Sequence, residues 1–347
     1  SALGCIGAAP WAVSLVCDGV IAGVGGVLTF LPMIAILFLF LSILEDSGYM
    51  ARAAFVMDRT LRHFGLSGKA FIPLLMGFGC TVPAVMGART MENEKDRRMT
   101  IMLVPFMSCS ARLPIYGLLV SAFFPGNRAL IVISLYLIGI CLAILSGLIL
   151  KRSIFRGEAA PFLLELPPYR MPTVRNVGTH VWEKVKDFLS RAATLILAMS
   201  VVLWLLQSFT LHGQYTTDMS QCLLAALDSA IAPLFLPCGF GVWQAAVALL
   251  TGLIAKEAVV SSMSLFYGFS LTASGATVAL ALGGTFTPVA AYAFLVFCAL
   301  YTPCVAAIAT IRREMGDIKW TLACLGWQLG MAYLASMLVY QIGSLLF

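Results

Sequence analysis

Uncharged stretches alternate with short charged segments along the chain. Residues 19–44, 129–150, 229–255 and 320–347 contain no Asp, Glu, Lys or Arg. Each stretch is long enough for a helix across a hydrocarbon core of about 30 Å, which takes about 20 residues. The pattern therefore predicts a membrane-spanning helix in each of them. Residues 258–311 are also uncharged, and they are long enough for two crossings or for one crossing and a re-entrant segment.

One apolar segment, residues 70–88, departs from this pattern because it is rich in helix breakers. They are Pro73, Gly77, Gly79, Pro83 and Gly87. Non-helical backbone at membrane depth is tolerated only where it is buried in protein or lines a wet cavity. We predict that the segment enters the membrane and returns to the same side, with Cys80 at the bend.

The composition agrees with a chain that lies mostly in lipid. Of the 347 residues, 61% are hydrophobic and 11% are charged, whereas a soluble domain has about 25% charged residues. We therefore expect an all-α, polytopic helical membrane protein with broken or re-entrant helices. The ten cysteines are scattered without a C-x-x-C pair. This spacing argues against a disulfide framework, and most of them are expected to be small packing residues.

Lysines and arginines are concentrated in four segments. These segments are residues 52–69, 89–98, 151–191 and 312–319. Because basic loops face the cytoplasm, we place all four inside, which requires residues 70–88 to return to the side they entered from. The regions 212–240 and 264–288 hold no basic residue and are placed outside. The net charge of +6 is thus an orientation signal and does not indicate nucleic-acid binding.

The same rule gives a direction to each crossing. Residues 20–44 run inward, 99–124 outward, 129–150 inward, 191–211 outward, 241–263 inward and 320–346 outward. On this scheme residues 264–311 begin and end inside, by two passes or otherwise.

The cytosolic loop 151–190 contains a segment with helical amphipathicity. Val181, Val185, Phe188 and Leu189 share one face of a helix, and the charged residues lie elsewhere. Such a helix is expected to lie at the membrane surface.

Charged residues at the ends of apolar segments are candidates for a cation pathway. Glu45 and Asp46 end the first long apolar helix, where they either attract cations or are solvated and paired with Arg52. Arg112 lies inside the apolar segment 99–124, where a charge costs at least about 3 kcal/mol. It therefore needs a partner, and the alternative to a pathway role is a structural ion pair.

The candidate partners of Arg112 are Glu45, Asp46 and Glu257. Glu257 and its neighbour Lys256 interrupt a long uncharged stretch. Because adjacent residues on a helix point in different directions, each needs its own partner or pathway. A pathway role and a structural pairing are both open for them.

Cysteine sulfur is a soft ligand that suits iron, zinc or copper(I). Cys304 follows a proline and precedes Arg313 by nine residues, the same interval as from Cys80 to Arg89. This recurrence suggests a weak internal repeat, as found in transporters. Cys109 lies three residues before Arg112, on the same helical face.

Five segments taken together resemble the membrane domain of FeoB-type bacterial ferrous-iron permeases. They are LEDSGYMARAAFVMDR (44–59), GFGCTVPAVMGAR (77–89), PFMSCSARLPIY (105–116), GLIAKEAVVSS (252–262) and YTPC (301–304). The resemblance implies two gate-type repeats, carried by about 30–130 and about 195–312. It also implies that Cys80 and Cys304 contact iron, and Cys109 is a weaker candidate for the same role.

The resemblance further implies a domain order and a set of partners. We expect a first membrane half at 1–150, a cytosolic linker at 151–190 and a second membrane half at 191–347. The family has an N-terminal GTP-binding domain that this sequence lacks, so GTP would act only through that domain and no enzymatic activity is expected here. Candidate partners are the lipid bilayer, the GTP-binding domain, a small cytosolic accessory protein and further copies of the chain.

The expected function is a permease that imports Fe2+ across the bacterial inner membrane, with Fe2+ as substrate and no permanently bound cofactor. The first alternative is a gate-type transporter of another solute, either another divalent metal or a nucleoside. The second is an intramembrane enzyme, against which stands the lack of a nucleophile motif or paired catalytic aspartates.

Overall fold

The computed structural model describes most of the chain. The described residues are 14–16, 21–155, 169, 171–190, 194–210, 222, 223, 225, 231–254, 256, 258–269, 275–301 and 304–346. They are helical almost throughout, which confirms the all-α prediction. Glu257, one of the pathway candidates, lies outside the described residues.

The first half of the chain forms seven α-helices within this described part. They are α1 (Ala22–Asp46), α2 (Tyr49–His63), α3 (Phe71–Gly77), α4 (Thr81–Gly87), α5 (Glu94–Leu103), α6 (Leu113–Phe123) and α7 (Arg128–Ser153). Gly48 turns the chain between α1 and α2 at φ 76°, a left-handed conformation that favours glycine. Gly48 therefore ends α1 and permits the turn into α2. Short 3-10 turns cover Gly68–Ala70, Ala88–Thr90, Val104–Phe106 and Ser110–Arg112.

The second half contains the remaining described helices. They are α8 (Val174–Phe188), α9 (Thr194–Ser208), α10 (Trp243–Ile254), α11 (Ala258–Tyr267), α12 (Gly275–Leu282), α13 (Pro288–Leu300), α14 (Val305–Met315) and α15 (Ile318–Leu346), with a 3-10 helix at Ala232–Cys238. Helix α13 has almost every side chain buried. It packs on α6, α7 and α15 and forms the centre of the core.

Four helical stretches among the described residues are long and apolar enough to cross a membrane. They are Glu94–Phe123, Arg128–Ser153, Pro288–Met315 and Ile318–Leu345. Two more pass this test only as bent pairs: Leu31–Asp46 with Tyr49–His63 at 77°, and Ala232–Cys238 with Trp243–Ile254 at 101°. The membrane-spanning helix predicted at 229–255 is therefore present, among the described residues, as two segments divided by a sharp bend.

Helices α3 and α4 form a hairpin. They pack against each other, and a Cβ placed on Gly87 would lie 3.4 Å from Met76 Sδ, which shows that the second arm returns along the first. Cys80 lies between the arms in extended conformation, with φ −152° and ψ 133°. Lys69 Nζ and Glu92 Oε1, 3.0 Å apart, join the two ends of the hairpin on one side. The predicted fold-back at Cys80 is confirmed.

A second hairpin, which the sequence did not reveal, joins α10 and α11. Thr251 Oγ1 and Ser262 Oγ are 2.9 Å apart, although residues eleven apart on a straight helix would be separated by about 16 Å. The chain therefore reverses around Lys256. The absence of a side chain at Gly252 permits this packing, because a Cβ there would lie 2.3 Å from Val259 Cγ2. The single inward crossing predicted for 241–263 is wrong.

The two hairpins open on opposite sides of the molecule. The ends of the first lie among the basic segments. Tyr333 OH donates to Leu234 O, 3.0 Å away, and this places the chain before α10 beside the far half of α15. Thr285 Oγ1, which precedes α13, donates to Tyr267 OH at the end of α11, 3.1 Å away. The end of α11 and the start of α13 thus lie away from the basic side, as the charge pattern indicated, and the segment that begins at residue 264 does not begin inside.

Each half of the molecule therefore contains a hairpin followed by a broken crossing, in inverted orientation. The crossings are Glu94–Phe123 and Pro288–Met315. In this arrangement Cys109 corresponds to Cys304, and Cys80 corresponds to Lys256. The weak repeat suggested by the intervals from Cys80 to Arg89 and from Cys304 to Arg313 stays a prediction. Each of these cysteines immediately precedes a helix, Thr81–Gly87 and Val305–Met315 respectively.

Candidate functional site

Both broken crossings contain extended backbone at their middle. In the first, Met107 and Cys109 have ψ values of 127° and 159°. In the second, Tyr301 and Cys304 have ψ values of 166° and 159°. The sequence predicted that Cys109 and Arg112 share one helix. Instead, Cys109 precedes the short 3-10 turn that contains Arg112.

The three predicted thiols come together where these breaks meet the first hairpin. Ser110 donates to Gly79 O from its backbone N at 3.3 Å and from its Oγ at 3.0 Å, which holds the first break against the hairpin tip. Cys80 and Cys304 belong to one apolar cluster. The thiol of Cys80 lies within electrostatic range of both Cys304 and Cys109. We call these three residues the thiol cluster.

The thiol cluster is an open arrangement and does not form a closed metal cage. All three cysteines are half-buried and free of disulfides. In the part of the chain that the structure describes, no group of three His, Cys, Asp or Glu side chains is placed to hold a metal ion.

Lys256 brings the tip of the second hairpin to the same region. Its side chain is 3% exposed, and Nζ lies 3.1 Å from the centroid of the Tyr301 ring. Lys256 is within electrostatic range of Arg112 and of the thiols of Cys109 and Cys304. Both hairpin tips and both breaks therefore meet. Sequence reasoning missed Tyr301, although an aromatic residue just before a predicted break was the available signal.

Arg112 is fully buried at 1% exposure, and its partners are backbone carbonyls. Nη1 donates to Met107 O and Nη2 to Pro105 O, each at 3.2 Å. Of the expected carboxylate partners, Glu45 and Asp46 pair with other residues, so that expectation is wrong for both. Arg112 thus satisfies the carbonyls that the break in the first crossing leaves without helical partners.

The carbonyls around the thiol cluster are largely bonded within the protein. A break in a helix leaves carbonyls that could in principle face an ion. Instead, Gly79 O accepts from Ser110, while the carbonyls of Pro105 and Met107 accept from Arg112. Thiols, rather than these three oxygens, are therefore the groups that the site offers to a cation.

Glu45 and Asp46 lie apart from the thiol cluster, at the basic end of α1. Lys184 Nζ donates to Glu45 Oε2 at 2.8 Å, and His180 Nδ1 lies 3.5 Å from Asp46 Oδ1. Arg52, the alternative partner, instead lies over the Tyr169 ring, with 3.8 Å from Cζ to the ring centroid.

These two contacts connect α1 to α8. The apolar face of α8, with Val181, Val185 and Phe188, packs along α1 against Phe38 and Leu41. Helix α8 therefore packs on another helix through this face. Its amphipathicity had suggested that the face lies on the membrane surface, and that prediction is wrong.

A two-pronged ion pair links the two repeats on the basic side. Arg89 Nε donates to both carboxylate oxygens of Glu314 at 2.8 Å each, and Nη2 makes a further short contact. The hydrogen bond to Glu314 raises the pKa of the Arg89 guanidinium above its usual value. The pair joins the basic ends of α4 and α14, the helices that begin at Cys80 and Cys304. Sequence reasoning treated both residues as cytosolic cap residues and missed their pairing.

Comparison with known protein families decides what kind of protein carries this site. The Gate family model, described as nucleoside recognition, matches residues 27–123 and 189–318, which is more than half of the chain. The chain belongs to the Gate family. Within this Gate protein, residues 132–184 match a second model, described as the C terminus of ferrous iron transport protein B. The division at 1–150, 151–190 and 191–347 stays a prediction.

Relatives of this Gate protein carry names of iron transporters. The Fe(2+) transporter FeoB of Staphylococcus aureus is 46% identical over 340 residues, which cover 98% of this chain and 50% of the relative. The Fe(2+) transporter FeoB of Methanocaldococcus jannaschii is 41% identical over 341 residues, with coverage of 96% and 50%. These matches confirm the resemblance to the membrane part of ferrous-iron permeases.

A third relative joins two proteins in one chain. It is the Fe(2+) transport protein A/Fe(2+) transporter FeoB fusion protein of Porphyromonas gingivalis, 40% identical over 377 residues, which cover 96% of this chain and 44% of the relative. The chain thus spans about half the length of the relatives it matches. No solved structure matches it significantly.

Proposed function

We propose that this chain is the membrane part of a permease that imports Fe2+ across the bacterial inner membrane. The observation that carries the proposal is the convergence of Cys80, Cys109 and Cys304 at breaks inside the membrane. Soft sulfur ligands suit Fe2+ better than Ca2+ or Mg2+, and relatives over nearly the whole chain are named Fe(2+) transporters.

The thiol cluster replaces part of the water shell of the ion during passage. An inside-negative potential favours entry by about 2.3 kcal/mol per charge per 100 mV, or about 4.6 kcal/mol for a divalent cation. Because a thiolate binds metal and a thiol does not, binding releases protons. Arg112 places positive charge near the same region, which weakens the hold on a cation and favours its release.

Two partners belong to this proposal. The half of the relatives that this chain does not match supplies the GTP-binding domain. A small accessory protein acts beside the permease, as the fusion of a transport protein A with FeoB in one relative suggests. Fe2+ is the substrate, and GTP acts only through the additional domain.

Uptake of radioactive Fe2+ by the full-length protein in proteoliposomes tests the proposal. We expect Cys80→Ser to lower uptake by at least about tenfold, since even residues that only support a metal ligand contribute about 10–100-fold to affinity. Cys141→Ser is the matched control, because Cys141 is exposed on α7 away from the thiol cluster. Unchanged uptake in Cys80→Ser would remove the thiol from the mechanism.

The alternative substrate class is a nucleoside, because the description of the Gate family names nucleoside recognition. Uptake of labelled uridine or adenosine by the same proteoliposomes, with no Fe2+ uptake above empty liposomes, would favour that alternative. Uptake of Zn2+ or Co2+ in place of Fe2+ would retain the thiol mechanism and change the cargo.

A further inference from the structure

A cavity of about 150 Å³ lies on the basic side of the thiol cluster. Its walls are α4, α14, the end of α8 and the start of α9. The wall is mostly apolar, but a volume of this size can hold several waters, and Arg89, Asp187, Thr310, Arg313 and Glu314 in the lining offer them polar partners. The cavity is therefore a candidate for a wet route between the thiols and the basic side.

The cavity extends along both helices that begin at the cysteines. At its inner end it is lined by Val82 and Ala306, each two residues beyond Cys80 and Cys304. At its outer end it reaches Arg89 and Glu314. Since a helix rises 1.5 Å per residue, these seven or eight residues span about 11 Å. The cavity thus covers the distance from the thiol cluster to the basic surface.

Phe188 connects this cavity to the cysteines. It is the last residue of α8, lines the cavity and packs in the same apolar cluster as Cys80 and Cys304. The preceding residue, Asp187, lines the cavity within electrostatic range of Arg89. The end of α8 therefore brings an aromatic ring and a carboxylate to the cavity wall, and the ring also belongs to the apolar cluster that contains Cys80 and Cys304.

We propose that this cavity is the cytosolic half of the cation path, and that Phe188 is the plug between it and the thiol cluster. The ligand class is a hydrated divalent cation that leaves the thiols, passes the displaced ring and meets the carboxylates of Asp187 and Glu314. This inference rests on the transport function proposed above and assigns to α8 the role of the moving part. The cavity lining holds two arginines, Arg89 and Arg313, and the carboxylates of Asp187 and Glu314 balance their two charges.

Access of a water-soluble reagent to Cys80 and Cys304 tests the plug. The full-length protein in inside-out vesicles is treated with a positively charged methanethiosulfonate, and the modified residues are identified by mass spectrometry. We expect Phe188→Ala to accelerate modification of Cys80 and Cys304 by about tenfold or more. A closed protein populates its open state at only about 0.1–10%, whereas the variant has no ring to displace. Trp182→Ala is the control, since Trp182 is 68% exposed on the same helix.

A blocking variant tests the same path in a second way and does not disturb the core. Ala309 is exposed and lines the cavity. We expect Ala309→Trp to lower both Fe2+ uptake and reagent access by at least about tenfold. Binding of Co2+ to the thiols, followed by its thiolate absorption in detergent, should remain. Ile308→Trp, on the same helix but not lining the cavity, should transport normally.

The outcomes separate this inference from the transport function. Wild-type uptake in Ala309→Trp, or unchanged access to the thiols in Phe188→Ala, would overturn the proposed path. Absence of Fe2+ uptake by the wild-type protein would contradict the transport function instead, and the access measurement would still decide whether Phe188 separates the thiols from cytosolic water.

Discussion

Arg112 shows how a charge buried in a membrane protein can serve the backbone. A broken crossing leaves carbonyls without the amide partners that a continuous helix would supply. The planar guanidinium has several donors in a fixed fork, and here it bonds the carbonyls of Pro105 and Met107 at the break. The same residue therefore permits the extended segment that contains Cys109.

Removal of this guanidinium should destabilise the protein. In Arg112→Met the two carbonyls remain buried without these donors, and each unsatisfied group costs about 1–3 kcal/mol. We expect a clear decrease in the thermal unfolding temperature of the detergent-solubilised protein, measured by the fluorescence of its six tryptophans. Arg128→Met is the matched control, because Arg128 is exposed at the start of α7.

Two results would contradict this structural role. If Arg112→Met unfolded at the wild-type temperature but failed to transport, Arg112 would act in the pathway. If Arg112→Lys were equivalent to wild type in both measurements, the fork geometry would be irrelevant, because a single ammonium cannot reproduce it.

At the scale of elements, the two hairpins make up the unusual part of the fold. The first brings Cys80 to the thiol cluster, and the second brings Lys256 there. A hairpin at α10–α11 also has a direct test, since Thr251 and Ser262 face each other only if the chain reverses. In a straight helix these residues would lie about 16 Å apart.

The double variant Thr251→Cys with Ser262→Cys should form a disulfide on mild oxidation, because bridged residues need Cβ atoms about 4 Å apart. Mass spectrometry of the cross-linked peptide measures the yield. The control combines Thr251→Cys with Ser261→Cys, since Ser261 is exposed and points elsewhere. Equal yields in both pairs, or none in either, would show that α10 and α11 are not a fixed hairpin.

The sequence predicted one hairpin and missed the other for a physical reason. Five glycines and prolines in 70–88 are incompatible with a plain crossing. In 241–263 the only breaker near the reversal is Gly252, and the adjacent charges Lys256 and Glu257 were interpreted as interruptions of one crossing. Two neighbouring charges at membrane depth were the available signal, because a turn inside the protein can accommodate both.

The partners of buried charges were less predictable than the helices. Carbonyl acceptors, such as those of Pro105 and Met107, leave no trace in the sequence because every residue carries one. The long-range pairing of Arg89 with Glu314, 225 residues apart, likewise depends on the tertiary fold. The cysteines were easier to identify, since sulfur chemistry and helix breakers mark them locally.

For the whole molecule, the inverted repeats place the two cysteine-bearing helices side by side on the basic side. Helices α4 and α14 pack against each other, and the Arg89–Glu314 pair joins their ends. Glu314 has a nearly buried side chain, at 7% exposure, while Arg89 is 45% exposed. A partly buried pair of this kind makes a larger contribution than a solvent-exposed one, because water screens it less.

A charge swap tests whether this pair holds the repeats together. We expect Arg89→Glu and Glu314→Arg each to lower the unfolding temperature and Fe2+ uptake, because each places two like charges at contact distance. The double variant should recover much of both losses, with a coupling of about 1–2 kcal/mol in a double-mutant cycle.

The pair Lys69–Glu92 is the control, since it joins the ends of one hairpin and its Glu92 side chain is 89% exposed. Its swap cycle should show weaker coupling, as exposed pairs contribute about 0–1 kcal/mol. Additive losses at Arg89 and Glu314 would mean that apolar packing alone joins α4 to α14.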